Sequence, residues 1–313
     1  MDFSGRVAIV TGAGRGLGRS YAVQLASRGC AVVVNDLGGA PNGVGGESAR
    51  PADEVVAEIK AAGGKAVASY VSVEDGRSIV QTALDTWGRI DVLVCNAGIA
   101  GGGQFHEYPD DEWQREISVH LTGTYSVLRA AWPYLRASRY GRIVVTSSIA
   151  GLFGIPGVAG YCAGKAGVIG LARSLAMEGF RRNIKVNVVA PMSASRLVAA
   201  TGASQDFLTR YDPRYVAAIV SYLCHESCEA TGCIYEAGGG WYARTEMIRA
   251  KGLVIDEAAL RDPSLATPEM VRDGFKEVMD VTAEGSETPG IRGVMKPQRL
   301  MKELNERAAA SKL

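Results

Sequence analysis

Two side chains able to move a proton stand four residues apart in Tyr161-Cys162-Ala163-Gly164-Lys165. On a helix that spacing puts both on one face, one turn apart. The segment from Gly160 to Met177 is rich in Ala, Gly, Leu and Val, the composition of a helix packed on most sides. The pair is therefore expected in a largely dry setting. A free tyrosine titrates near pH ~10 and is a poor base at neutrality. An ammonium held beside it favours the phenolate and lowers that value. The expected chemistry is proton transfer. Tyrosine and lysine at this spacing also occur on solvated helices, so the assignment depends on what else the chain supplies.

The second chemical feature lies near the start. Residues 6–11 (RVAIVT) are an apolar, β-branched run of strand length. Gly12-Ala13-Gly14-Arg15-Gly16-Leu17-Gly18 follows, then a helix pattern from about Arg19 to Arg28. Residues 31–35 (AVVVN) form the next strand and end at Asp36. Strand, Gly-rich turn, helix, strand and acid make the first half of a dinucleotide-binding fold. Glycines there permit a tight turn and let the backbone reach a pyrophosphate, while the helix N-terminus offers N–H groups and a positive dipole end. Gly12, Arg15, Gly16, Leu17 and Gly18 are the expected cofactor residues of this turn. Asp36 can accept both ribose hydroxyls and repels a 2′-phosphate, which favours NAD over NADP. Arg15 and Arg19 are the cations that argue the other way.

The elements that position these groups alternate. After a loop over residues 37–50 with five glycines, expected near the adenosine end, come a helix at 52–62 and a strand at 66–70. A helix at 77–86 and a strand at 91–95 follow. A long helix is expected over 111–135, ended or bent by Pro133, then a strand at 142–146, the Tyr161 helix and a strand at 184–190. Strands this apolar are buried on both faces, as in a parallel sheet covered by helices. The fold class is α/β, a Rossmann-like doubly wound parallel sheet. It forms a single catalytic domain over residues 1–240, with residues 241–313 as a C-terminal extension. The small-residue segment from Met192 to Asp212 leaves the end of a strand and reads as a substrate lid.

Composition excludes other classes. The 313 residues carry a net charge of +1, with 47% hydrophobic and 21% charged residues and no basic or acidic block. Neither nucleic acid nor a membrane surface is an indicated partner. No apolar run reaches spanning length, and no signal peptide is visible. Of the six cysteines, Cys30, Cys95 and Cys162 read as small buried hydrophobes, and a reduced intracellular setting fits the chain. Cys224-His225-Glu226-Ser227-Cys228 with Cys233 lacks zinc-knuckle spacing and reads as a helix end and loop, so no metal is expected. The final Ser311-Lys312-Leu313 is a peroxisomal address in a eukaryote and means nothing in a bacterium. The Ala-, Gly- and Arg-rich composition favours the bacterial, cytoplasmic reading.

Thr11-Gly12-x-x-x-Gly16-x-Gly18, Asn96-Ala97-Gly98, Ser148 and Tyr161-x-x-x-Lys165 occur in that order. Together they resemble the short-chain dehydrogenase/reductase family over residues 5–240. The resemblance implies Tyr161 as general acid/base and Ser148 as the donor holding the substrate oxygen. It implies that Lys165 lowers the Tyr161 pKa and binds the nicotinamide ribose. Asn96, Ala97 and Gly98 would line the cofactor. A narrower likeness, to the (3R)-hydroxyacyl-CoA dehydrogenase portion of multifunctional β-oxidation enzymes, rests on Val34-Asn35-Asp36-Leu37-Gly38-Gly39 and Val119-His120-Leu121-Thr122-Gly123. Leu223-Cys224-His225-Glu226-Ser227-Cys228 and Gly238-Gly239-Gly240-Trp241 add to it. It implies NAD-dependent oxidation of a 3-hydroxyacyl-CoA by a free-standing enzyme, assembled as a homodimer or homotetramer through the long helix and the Tyr161 helix.

The chain departs from the family pattern at three places. His120 stands where an Asn is usual; its backbone carbonyl can still hold a water on the lysine, and its ring is a candidate proton shuttle. Val71-Ser72 replaces an Asp on the adenine, leaving Ser72 as the expected contact, and Pro191-Met192 replaces the common Pro-Gly after the sixth strand, a change that bears on lid geometry and substrate choice, with Pro191 an expected cofactor residue. Arg196, Arg210 and Arg214 are candidate cations for a CoA tail. A steroid or another small secondary alcohol is the alternative substrate, and a catalytically silent NAD-binding sensor or scaffold the alternative class.

Overall fold

Seven short apolar runs become the parallel strands of one sheet. These are β1 (Val7–Thr11), β2 (Ala31–Asn35), β3 (Lys65–Ser69), β4 (Val92–Cys95), β5 (Gly141–Thr146), β6 (Ile184–Pro191) and β7 (Ile234–Gly238). An antiparallel edge strand, β8 (Trp241–Thr245), completes the order β3-β2-β1-β4-β5-β6-β7-β8. β1, β2 and β4 are buried at every position, as expected for strands covered on both faces. The structure is a computed structural model that describes residues 1–194, 204–253, 262, 264, 266–284 and 286. Arg196, residues 195–203 of the expected lid and Ser311-Lys312-Leu313 lie outside the described residues.

One face of the sheet is covered by α1 (Gly16–Ala26), α2 (Arg50–Ala61) and the helix Pro213–Cys224. They bring Tyr21, Leu25, Val55, Ile59, Val216, Val220 and Leu223 onto Ala8, Val10, Val32 and Val34 of the strands. Burying each large aliphatic or aromatic side chain is worth about 1.5–3 kcal/mol. On the helix pattern of the other half, α3 (Gly76–Trp87), α4 (Asp110–Ile117), α5 (Thr124–Ser138), α6 (Ile149–Phe153) and α7 (Ala159–Gly179) follow in chain order. A short helix, α8 (Gln205–Arg210), precedes Pro213–Cys224, which is α9.

Three local features differ from the sequence expectation. The long helix is not uniform: a π-helical turn, Ser118–Gly123, joins α4 to α5. Pro133 neither ends nor replaces a turn, because it lies on the exposed side of α5, where the carbonyl it leaves unpaired can meet water. β8 follows β7 through Gly239-Gly240, both at positive φ, in a two-residue hairpin that pairs Gly238 with Trp241.

The chain divides into two compact units, Met1–Thr245 and Glu246–Leu313. The first holds the whole sheet. In the second, Thr267 caps α10 (Pro268–Asp273) by accepting the Met270 N–H, and α11 (Phe275–Met279) follows directly. Among the described residues no helix is long and apolar enough to cross a membrane. All six cysteines are free; Cys30 and Cys95 are buried as expected, whereas Cys162 is only half-buried because it starts the exposed side of α7.

Candidate active site

The strand order reverses between β1 and β4, and a ligand in such a sheet binds at the carboxyl ends of those strands. A cleft of about 300 Å³ opens there. Every cofactor or catalytic residue expected from the sequence lines it, except Gly18.

The floor is the Gly-rich turn. Thr11 Oγ1 accepts the N–H groups of Asn96 and Ala97, and Asn96 Nδ2 donates to the carbonyls of Thr11 and Gly12, at 3.0–3.2 Å. Asn96 thus braces β4 against the turn. α1 begins at Gly16 with no side-chain cap and no acid in its first turn. Its free N–H groups and dipole are open to an anion. A Cβ at Gly16 would meet nothing within 4 Å, so its backbone is bare to the cleft. Gly18 does a different job from the expected contact. A Cβ there would stand 2.1 Å from the Gly12 carbonyl oxygen and 2.7 Å from Asn96 Nδ2, so Gly18 lets α1 pack under the turn.

Asp36 directly follows β2 and lies on the cleft wall. Its Oδ2 accepts the Gly14 N–H and its Oδ1 the Gly38 N–H, each at 2.7 Å. Each oxygen keeps a lone pair for a further donor. Arg19, one of the two cations opposing that role, is drawn away to Glu58 at 2.6 Å. The loop after Asp36 folds on itself through Ala40 N–H to the Gly45 carbonyl, and Leu37, Pro41 and Glu47 line the same cleft. These backbone donors, the bare helix end and the carboxylate fit a dinucleotide.

At the far end, Ser148 caps α6 by accepting the Ala150 N–H at 3.1 Å, and it lines the cleft together with Tyr161. Lys165, 4% exposed, donates to the Thr146 carbonyl at 2.9 Å. Burial lowers its pKa from 10.5 to about 8. Burial also pushes Tyr161 above its usual value, with the Ser148 hydroxyl pulling the other way and the charges of Cys162 and Glu116 adding to the rise. In the protein by itself burial, and not the expected effect of Lys165, is the largest influence on Tyr161. The ammonium lies 5.7 Å from the tyrosine ring centre and is committed to Thr146.

The π-helical turn brings His120 inward, 1% exposed, edge-on to Tyr161 with ring centres 5.1 Å apart. π turns are frequent at functional sites. Nε2 is 2.7 Å from the Ile99 carbonyl, which assigns it as the donor, and Nδ1 has no protein partner. Burial, then the charge of Lys165, hold its pKa well below 6.5. Both oppose proton uptake by the ring. The CoA candidate Arg214 is gripped by Asp212 through two contacts of 2.9 Å, while Arg210 is exposed at the end of α8.

The family model described as short chain dehydrogenase matches residues 6–203. The chain belongs to the short-chain dehydrogenase family. It is 48% identical to the peroxisomal multifunctional enzyme type 2 of Mus musculus, over 90% of this chain and 37% of that protein. It is 44% identical to the peroxisomal hydratase-dehydrogenase-epimerase of Saccharomyces cerevisiae, over 90% of this chain and 31% of that protein. The chain therefore spans about a third of these relatives' length. The solved full-length peroxisomal multifunctional enzyme type 2 of Drosophila melanogaster superposes with a TM-score of 0.81 at 37% identity, covering 98% of this chain and 50% of that one. A carveol dehydrogenase of Mycobacterium avium, solved in complex with NAD, gives 0.67 at 28% identity over 75% of this chain and 96% of that one.

Several lining residues of this short-chain dehydrogenase went unread in the sequence. Asn35, Val73, Ile99, Val119, Thr146 and Ser147 face the cleft. Most of them are strand ends or neighbours of motif residues, and position relative to a strand's carboxyl end is the signal that finds them.

Proposed function

We propose that this short-chain dehydrogenase oxidises the 3-hydroxyl of a (3R)-3-hydroxyacyl-CoA to the 3-ketone with NAD⁺. The observation that carries the chemistry is the convergence of Ser148, Tyr161 and Lys165 on one cleft with a bare helix N-terminus and Asp36 at its other end. Ser148 holds the substrate oxygen. Tyr161 removes the hydroxyl proton as the C3 hydride leaves, and gives it back in the reductive direction. Bound NAD⁺ supplies the hydride acceptor, and its positive ring adds a charge that favours the phenolate over what burial allows alone. Lys165 offers its remaining N–H donors to the ribose. His120 and Ile99 shape the wall beside the lysine. Asp36 and the engaged Arg19 support NAD over NADP.

Support for the substrate comes from the yeast relative's name, which joins a hydratase to a dehydrogenase. Hydration of a carbon–carbon double bond yields a secondary alcohol, the group this site is built to oxidise. The likeness to a carveol dehydrogenase supports a cyclic secondary alcohol as the second reading. A homodimer or homotetramer through α5 and α7 belongs to the proposal, supported by Tyr125 and Tyr134, 44% and 43% exposed on α5. The test is NADH formation with separate (3R)- and (3S)-hydroxyacyl-CoA. Turnover of the (3R) form alone is expected. No turnover of either form, with NAD⁺ binding intact, sinks the acyl-CoA reading and moves the search to steroids and other secondary alcohols.

A further inference from the structure

A carboxylate lies behind the catalytic tyrosine that the mechanism above does not use. Glu116 belongs to α4, the other residues of which are exposed or half-buried, yet Glu116 itself is 0% exposed. A carboxylate taken out of water needs partners. Oε1 accepts the Gly101 N–H at 3.0 Å, and Oε2 accepts the Tyr108 hydroxyl at 2.6 Å. Both donors are neutral, and neighbouring Arg115 turns to Asp111 instead. One turn earlier Glu112 accepts the Gly102 N–H, and Gly103 donates to the Gly157 carbonyl at 2.8 Å. The loop that follows β4 is thus fixed at three successive residues.

The carboxylate also presses on the catalytic helix. A Cβ at Gly160, in the first turn of α7, would stand 2.3 Å from Glu116 Oε2 and 3.4 Å from the Tyr108 hydroxyl. Only a glycine before Tyr161 leaves room for this group. Ile99, two residues before Gly101, lines the cleft and accepts from His120. We propose that Glu116 is a positioning residue for Tyr161. It latches the loop after β4 and Tyr108 onto the first turn of α7, and places a negative charge behind the tyrosine that tunes when it gives up its proton.

The groups around Tyr161 are Ser148 from the start of α6, Cys162 and Lys165 from α7, His120 from the π turn and Glu116 from α4, with Tyr108 and Glu112 behind it. The Glu116 charge acts in the same direction as burial, against the phenolate. Removing that charge while keeping the shape lets Tyr161 ionise at lower pH.

The inference rests on Tyr161 being the base, so the test pairs two sets of variants. In wild type, the rate of alcohol oxidation, as kcat/KM against pH, rises along a limb set by the tyrosine. In Glu116→Gln that limb moves to lower pH, with the KM for NAD⁺ unchanged. In Tyr108→Phe the charge remains and the latch loosens, so the limb does not move down and the KM for the alcohol rises. A Glu116→Gln limb that coincides with wild type, in an enzyme that loses turnover on Tyr161→Phe, overturns the charge role. A Tyr108→Phe enzyme with wild-type KM overturns the latch. Full turnover in Tyr161→Phe overturns the underlying reading instead.

Discussion

Lys165 is kept in the interior at a cost, and removing it should make the protein more stable while disabling it. Burial lowers its pKa from 10.5 to about 8. Below pH 8 both the folded and the unfolded chain hold the proton, so the whole cost of the buried ammonium is present. At about 1.4 kcal/mol for each tenfold loss of proton affinity, that cost is about 3 kcal/mol. Lys165→Met keeps the length and loses the charge. It also strips the Thr146 carbonyl of its 2.9 Å donor, a loss of about 1 kcal/mol. The net expectation at pH 7 is a gain of about 2 kcal/mol. The sign of the pH dependence follows from the lowered pKa. As pH rises from about 8 to 10.5 the folded chain sheds this proton before the unfolded one, so wild type recovers stability and the gap narrows. Urea unfolding of both proteins at pH 7 and pH 10 reads it directly. The variant should unfold at higher urea at pH 7, with the difference nearly gone at pH 10. A variant less stable than wild type at pH 7, or an equal gap at both pH values, refutes the reasoning.

Two further substitutions probe the cofactor half. Gly18→Ala forces a methyl against the Gly12 carbonyl, which is backbone and cannot turn aside. It should cost about 3 kcal/mol in urea unfolding and weaken NAD⁺ binding, and a wild-type unfolding midpoint would show that α1 can shift to make room. Asp36→Asn removes the cleft-wall charge that the proposed NAD reading sets against the adenosine ribose. The preference for NAD⁺ over NADP⁺ in kcat/KM should fall by about tenfold, or about 1.4 kcal/mol, and an unchanged ratio would place the discrimination elsewhere.

The cofactor half was readable in the sequence because its signals are local. The Gly-rich turn, its flanking strands and Asp36 fall within one βαβ unit, and the alternation after it carries the sheet. The resemblance located Ser148, Tyr161 and Lys165, and the structure brings all three to one cleft. What spacing could not convey was the balance of forces between them: a same-face helix pair says nothing of a carbonyl such as Thr146 waiting for the ammonium, or of burial outweighing the charge on Tyr161. The π turn escaped for a related reason, since one wider turn barely alters an apolar pattern. β8 was missed although Gly239-Gly240 is a hairpin signal, because Trp241-Tyr242-Ala243-Arg244-Thr245 is an exposed edge with little apolar alternation. Glu116 reads as one more charge on a polar helix. Its partners Gly101 and Gly160 are distant in sequence, and only the fold brings them beside it.

The central claim is that Tyr161 is the base of a cofactor-dependent alcohol oxidation. Its most direct test compares wild type with Tyr161→Phe at saturating NAD⁺ and substrate, with cofactor binding measured separately. The account predicts intact NAD⁺ binding and a loss of about 10²–10⁴ in kcat. Near wild-type turnover by Tyr161→Phe would contradict it.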